Sequence, residues 1–304
     1  MKIAITTSSF AKYDSTILDP LEKKGIQYVL NPYGRKLTQE EVVEVAKGAE
    51  GIIAGTEPLN EWVFDRLPLL KVISRCGVGM DNVDLLAAEK QGIKVFNTPC
   101  GPTLPVAELT VALILDLLRK VPRMDRELRA GTWKKRMGNL LHGKRIGIVG
   151  FGRIGQKVAE LLLTFGVEIN YCDICTVSCS LSCYPQEFDA LFAWSDIITL
   201  HVSAQTENEP IITGRQIQQM KKGAWLVNMA RGGIVDEDAL YAALKEGHLA
   251  GAAVDVFEKE PYNGPLSQLD NVIITPHIGS YALESRVVME AKSVENMLRG
   301  LDLG

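Results

Sequence analysis

Three side chains with complementary chemistry stand in the second half of the chain: Arg231, Glu260 and His277. A guanidinium grips a carboxylate through a planar fork of N–H donors. An imidazole with an ordinary pKa near ~6.5 gives and takes a proton around neutrality. A carboxylate beside it orients the ring and favours its charged form. Such a set can hold an acid and move a proton to or from a neighbouring oxygen. Each member follows a short apolar run: 225–228 before Arg231, 252–254 before the acids Asp255, Glu258 and Glu260, and 272–275 before His277. Ligands of open parallel sheets bind beyond the carboxyl ends of the strands, so all three are well placed. Singly, each has an ordinary structural explanation, such as a surface ion pair or one structural hydrogen bond. Their joint occurrence on successive strand ends points to one site.

A second constellation precedes them. Gly150, Gly152 and Gly155, with Arg153 and Ile154 between, form the GxGxxG spacing. In a chain with 27 glycines about 0.2 chance matches arise, so the motif needs its context. Here the β-run 145–149 leads straight into Gly150, and helical periodicity begins at Arg153. The first glycine permits the tight turn, the second lets the backbone approach a pyrophosphate, and the third allows close helix–strand packing. A helix N-terminus supplies unpaired N–H groups and positive dipole to phosphates. Eighteen residues beyond Gly155, at the end of the run 167–172, stands Asp173. A carboxylate there accepts ribose hydroxyls and repels a 2′-phosphate, and no Arg or Lys follows it in 174–176. The expected cofactor is therefore NAD.

The elements that must carry these residues alternate with little interruption. Apolar β-like runs at 3–6, 27–30, 51–54, 71–74 and 94–96 are separated by helix-like stretches. A second series runs 145–149, 167–171, 197–200, 225–228, 252–254 and 272–275. This βαβ rhythm predicts two parallel sheets covered on both faces. Turn residues at 97–102 break the rhythm between them. The segment 106–119 is apolar nearly all round, which predicts a helix buried on every side, between domains or against a second subunit. The final helix, near 283–301, is expected to return to the first domain.

Composition bounds the rest. With 304 residues, 46% hydrophobic, the chain can bury two cores. Its net charge of -4 gives no electrostatic reason to expect nucleic acid or an anionic membrane as partner. No apolar run is long enough for a membrane span or a signal-peptide core. The expectation is a cytoplasmic protein. Four of the six cysteines cluster at Cys172, Cys175, Cys179 and Cys183. Their spacing fits no zinc or ferredoxin pattern, so they read as incidental thiols, and no metal is expected.

These segments together resemble the D-isomer-specific 2-hydroxyacid dehydrogenase family, which includes phosphoglycerate dehydrogenase. The resemblance covers essentially the whole chain. It rests on the loop from Arg75 to Asp84, on Val106-Ala107-Glu108, on Gly131-Thr132-Trp133, on the glycine loop, and on the segments around Arg231, Glu260 and His277. It implies an α/β architecture of two doubly wound parallel-sheet domains. Residues 1–98 plus 283–304 would be a flavodoxin-like substrate domain, and 99–282 a Rossmann NAD-binding domain. It implies that Arg231 binds the substrate carboxylate, that His277 is the general acid/base, and that Glu260 orients it. Asp255 would hold the nicotinamide carboxamide, and His201, Met229, Ala230 and Gly279 would also line the cofactor site. Gly55, Thr56, Arg75, Gly77, Val78 and Gly79 would meet the substrate, a small 2-oxo or 2-hydroxy acid. A homodimer is implied as well.

Departures from the family pattern bear on the substrate. In several phosphoglycerate dehydrogenases the corresponding substrate loop carries an arginine suited to phosphate, whereas this loop carries Glu57. The stretch 201–206 lacks the proline usual after its strand. No appended serine-binding regulatory domain is expected. Two alternatives to a general 2-hydroxyacid dehydrogenase stay open: D-3-phosphoglycerate dehydrogenase specifically, and a non-catalytic NADH-sensing binding protein.

Overall fold

The computed structural model describes residues 1–99, 101–177, 179–202 and 209–303. The proline-lacking loop therefore lies, from residue 203 onward, outside the described residues. Two compact units divide the chain: Met1–Pro102 with Ser280–Gly304, and Thr103–Gly279. These limits differ by a few residues from those read off the sequence. The turn residues before Thr103 go with the first unit, because the helix Thr103–Arg119 is the first element of the second.

The first unit holds five parallel strands: β1 (Lys2–Ile5), β2 (Gln27–Leu30), β3 (Gly51–Ala54), β4 (Val72–Arg75) and β5 (Lys94–Phe96). Their order is β2-β1-β3-β4-β5, the doubly wound flavodoxin-like arrangement. The β-branched residues Ile3, Ile5, Ile52, Ile53, Val72 and Ile73 are fully buried, as strands covered on both faces require. One face is closed by the helix Leu283–Gly300, which buries Val294, Met297 and Leu298 against Ile3, Ile5, Ile53 and Val72. Approach is close: a Cβ on Gly51 would collide with Met297 Sδ. Ser74 Oγ also donates to Ser293 O at 2.8 Å. The last helix thus packs within the first unit.

The second unit holds β6 (Arg145–Val149), β7 (Glu168–Cys172), β8 (Cys183–Pro185), β9 (Ile197–Leu200), β10 (Ala224–Asn228), β11 (Leu249–Val254) and β12 (Val272–Ile274), all parallel, in the order β12-β11-β10-β9-β6-β7-β8. The order reverses at β6, with β7 on one side and β9 on the other. That reversal opens the crevice in which doubly wound sheets take their ligands. The sequence reading missed β8 and the helix Val121–Arg129, which has no buried residue.

Within this unit the segment 106–119, expected to be covered on every side, is covered along one stripe. The helix Thr103–Arg119 buries one stripe, including Val106, Thr110, Leu113, Ile114, Leu117 and Leu118. Glu108 and Ala112 are exposed, and Val111 and Leu115 are half-buried. Within this unit the helix has one outward face, still largely apolar. With Leu161 and Phe165 that face lines a groove of about 330 Å³.

Candidate active site

β6 ends at Val149 and the chain turns through Gly150, whose φ of +87° suits glycine. A Cβ there would lie 2.7 Å from the His201 and Val202 backbone at the end of β9. A Cβ on Gly155 would collide with Gly150 O, so only glycine lets the helix Arg153–Leu163 start this close to the strand. Gly152 is different: a Cβ there would meet nothing within 4 Å. Gly152 is also the N-cap of that helix and supplies no side-chain capping bond. Open space thus adjoins the first turn of the helix at Arg153 and Ile154, whose N–H groups have no acceptor within the helix itself, a cradle that fits a pyrophosphate. Asp173 is clamped beside it. Its Oδ2 accepts the Phe151 N–H at 2.6 Å and its Oδ1 the Cys175 N–H at 2.9 Å. Across the switch point, His201 Nε2 lies 2.9 Å from Thr199 Oγ1, and its buried Nδ1 has no hydrogen-bond partner among the described residues. Burial pushes its pKa down to about 3, so this ring is neutral at physiological pH.

Three further strand ends bring the remaining residues of this unit together. After β10, Ala230 N–H donates to Asn228 Oδ1 at 3.1 Å and Asn228 Nδ2 to Arg231 O at 3.3 Å, an Asx-type brace under the arginine. Arg231 is half-buried, and its Nη1 donates to Ala230 O at 2.8 Å. A Cβ on Gly232 would collide with Phe257 O, so the arginine loop packs directly on the segment leading to Glu260. After β11, Asp255 is 2% exposed. Its oxygens accept from Thr275 Oγ1 at 2.5 Å, Ile278 N–H at 2.8 Å and Gly279 N–H at 2.8 Å. Burial raises its pKa, opposed by these bonds. After β12, the turn pinned by Asp255 carries His277 at φ 54°, left-handed backbone that non-glycine residues rarely adopt. The side chain is exposed, with Nδ1 3.0 Å from Glu260 Oε2 and 3.1 Å from Oε1. Glu260 is itself steadied by the Phe257 N–H at 3.2 Å. An ionised carboxylate only accepts, so Nδ1 carries the hydrogen and Nε2 is the nitrogen left to exchange a proton. Met229 and Ala230 are buried at the base of this cluster.

The sequence-derived substrate residues lie in the first unit. Arg75 folds back on its own loop and donates through Nη1 to Cys76 O. Gly77 has φ +147°, and its N–H donates to Thr98 Oγ1 at 2.7 Å. Val78 O accepts from Asn97 Nδ2 at 2.9 Å. Gly55 is half-buried and Thr56 exposed, whereas Glu57 is 1% exposed. Sequence reasoning passed over Asn82, Asn97, Thr98, Asn228 and Thr275, whose side chains brace these loops. The available signal was a short polar residue at or just beyond a strand end, where Asn and Thr bond the backbone. The cysteine loop holds exposed Cys175 and buried Cys183, whose thiol burial pushes up to about 11. Among the described residues no three His, Cys, Asp or Glu are grouped to hold a metal ion.

Comparison with known proteins fits this arrangement. Residues 111–279 match the model of the D-isomer specific 2-hydroxyacid dehydrogenase, NAD binding domain. The chain belongs to the D-isomer specific 2-hydroxyacid dehydrogenase family. Its cofactor is NAD, the ligand of that domain. It is 35% identical to a hydroxypyruvate reductase from Thermotoga maritima, over 96% of this chain and 100% of that protein. It is 38% identical to a D-3-phosphoglycerate dehydrogenase from Archaeoglobus fulgidus, over 93% of this chain. There it spans only 55% of the relative's length. The crystal structure of the TT0316 protein from Thermus thermophilus superposes with a TM-score of 0.92 at 36% identity, covering 99% of this chain and 97% of that one. Among the described residues no helix of this family member is long and apolar enough to cross a membrane.

Proposed function

We propose that this chain reversibly reduces a small 2-oxo acid to the 2-hydroxy acid. The observation that supports this best is the contact of His277 Nδ1 with Glu260, on a turn pinned by Asp255 in an NAD-binding domain. NADH, when bound, supplies the hydride for the substrate's 2-carbon. Arg231 binds the substrate carboxylate through its fork and polarises the 2-oxo group. His277 Nε2 delivers a proton to the forming hydroxyl oxygen and takes it back in the reverse direction. Glu260 keeps the ring turned through its contact with Nδ1. Asp173 accepts the adenosine ribose hydroxyls, and the Gly152–Ile154 turn takes the pyrophosphate. Three of the roughly four acceptor sites of the Asp255 carboxylate serve the 275–279 turn, which leaves one for the nicotinamide carboxamide. His201, Met229, Ala230 and Gly279 line the same side. Thr56, Val78 and Gly79 meet the substrate with their backbone, and Gly55 and Gly77, whose N–H groups are held by Glu57 and Thr98, shape the loops beside it.

The first unit is accordingly the substrate domain. The chain acts as a cytoplasmic homodimer. Trp133, Met137 and Leu140 are 72–88% exposed, and the outward face of the helix Thr103–Arg119, with Val111 and Leu115, is apolar, a combination typical of surfaces covered by a partner.

NADH oxidation against glyoxylate, hydroxypyruvate, pyruvate and phosphohydroxypyruvate tests the reading. Turnover of one or more unphosphorylated acids is the expected result. Turnover of phosphohydroxypyruvate alone would make the chain a phosphoglycerate dehydrogenase. Tight NADH binding with no turnover would make it a sensor.

A further inference from the structure

A buried carboxylate is costly unless hydrogen bonds replace its water. Glu57, 1% exposed, has such bonds, one within its own loop and one to the end of β1. Its Oε1 accepts the Thr6 hydroxyl and, at 2.8 Å, the Gly55 N–H. Thr6 lies just past β1, where its N–H donates to Ile53 O at 2.9 Å. Glu57 therefore ties the loop after β3 to the end of β1. From the other side Asn82 Nδ2 donates to Glu57 O at 2.7 Å and to Gly55 O at 3.3 Å. Glu57 Oε2 also occupies the space beside Gly55, 2.8 Å from where a Cβ would be. Of residues 55–57 only Thr56 is exposed.

We propose that Glu57 is a positioning residue for substrate binding. Its inward carboxylate holds the Gly55 N–H and folds the loop so that Gly55 and Thr56 face the substrate with no charged side chain. Glu57 is then neither the counterpart of a phosphate-binding arginine nor a charge that repels an anionic substrate. It sets substrate affinity through the shape of the loop. The proposal rests on the reading of this chain as a 2-oxo acid reductase.

The test uses the full chain and the variants Glu57→Ala, Glu57→Gln and Thr6→Val. Steady-state kinetics are measured with an accepted 2-oxo acid at saturating NADH. Deuterium exchange of residues 53–60 and NADH binding are measured alongside. Glu57→Ala is expected to raise KM about 10-fold or more, with kcat within about 2-fold, because uniform binding is lost while the proton-transfer groups stay. Exchange at 55–59 quickens and NADH affinity holds. Glu57→Gln keeps one oxygen able to accept both bonds, so its KM stays within about 3-fold of the parent. Thr6→Val falls between them, and gives the same comparison should Glu57→Ala fail to fold. An unchanged KM in Glu57→Ala, a loss carried by kcat, or a Glu57→Gln as impaired as Glu57→Ala would overturn the proposal. A parent protein that turns over no 2-oxo acid removes the functional reading instead. The exchange data then decide on Glu57 alone, and unaltered exchange at 55–59 in Glu57→Ala sinks it.

Discussion

The two units use their strand ends in opposite ways. In the second unit the ends of β7, β10, β11 and β12 lead directly to side chains with chemistry: Asp173, Arg231, Asp255 and His277. In the first unit the ends of β3 and β4 lead to glycine-containing turns. There the informative side chains, Glu57, Asn82, Asn97 and Thr98, bond back to the turns themselves. One unit thus offers functional groups, and the other offers shaped backbone. Functional groups move charge or protons, so their loss acts on turnover or cofactor binding. Shaped backbone has no proton to move, so its loss acts on how well a substrate is held.

The contrast can be broken most sharply at His277. Replacing it by Gln keeps size and polarity but removes the proposed proton donor, and kcat should fall about 10²-fold or more. A kcat within a few-fold of the parent, by stopped absorbance assays, would place the chemistry elsewhere. Next come the two glycines of one loop. Gly155→Ala puts a methyl on Gly150 O, so the helix must shift; melting temperature should drop and the NADH dissociation constant should rise about 10-fold or more. Gly152→Ala meets no protein atom, so its melting temperature should match the parent while NADH binding still weakens. Equal melting losses in both would contradict the open cradle. In the first unit, Thr98→Val deletes the shorter of the two bonds made by Gly77 N–H, which also donates to Arg75 O at 3.0 Å, without changing volume much. KM should rise about 3- to 10-fold with kcat little altered.

The smallest effect is one of pH and stability. His201 titrates near 6.5 when unfolded and at about 3 when folded. Between those values the unfolded chain holds the extra proton, so stability rises with pH across that window and is lost on acidification. Replacing His201 by Gln should lower the slope of unfolding free energy against pH by up to about one proton between pH 4 and 6, measured by urea unfolding. A slope unchanged by the substitution would show that the ring is solvated.

Most strands were legible because buried parallel strands must be continuous apolar runs, as Gly51–Ala54 and Ile197–Leu200 are. β8 was not, being three residues long, ending in proline, and lying at the sheet edge. The helix Val121–Arg129 carries no buried stripe, so it left no apolar period to read. The glycine loop was legible because sterics leave no choice at Gly150 and Gly155. The direction of Glu57 was not legible, since a glutamate in a loop reads as solvated until its partners, one of them 51 positions away, are known. Asp255 is similar: its position was visible, but not the 275–279 turn that it organises.

The helix Leu283–Gly300 has a consequence for how the protein is made. It completes a sheet whose strands all lie within the first hundred residues, while the whole second unit intervenes in the chain. At ~5–20 residues per second, a ribosome needs on the order of ten to thirty seconds to make that intervening unit. During that interval Ile3, Ile5, Ile53 and Val72 await the residues that cover them. The nascent first unit is therefore a candidate chaperone client, and the second unit can be finished first.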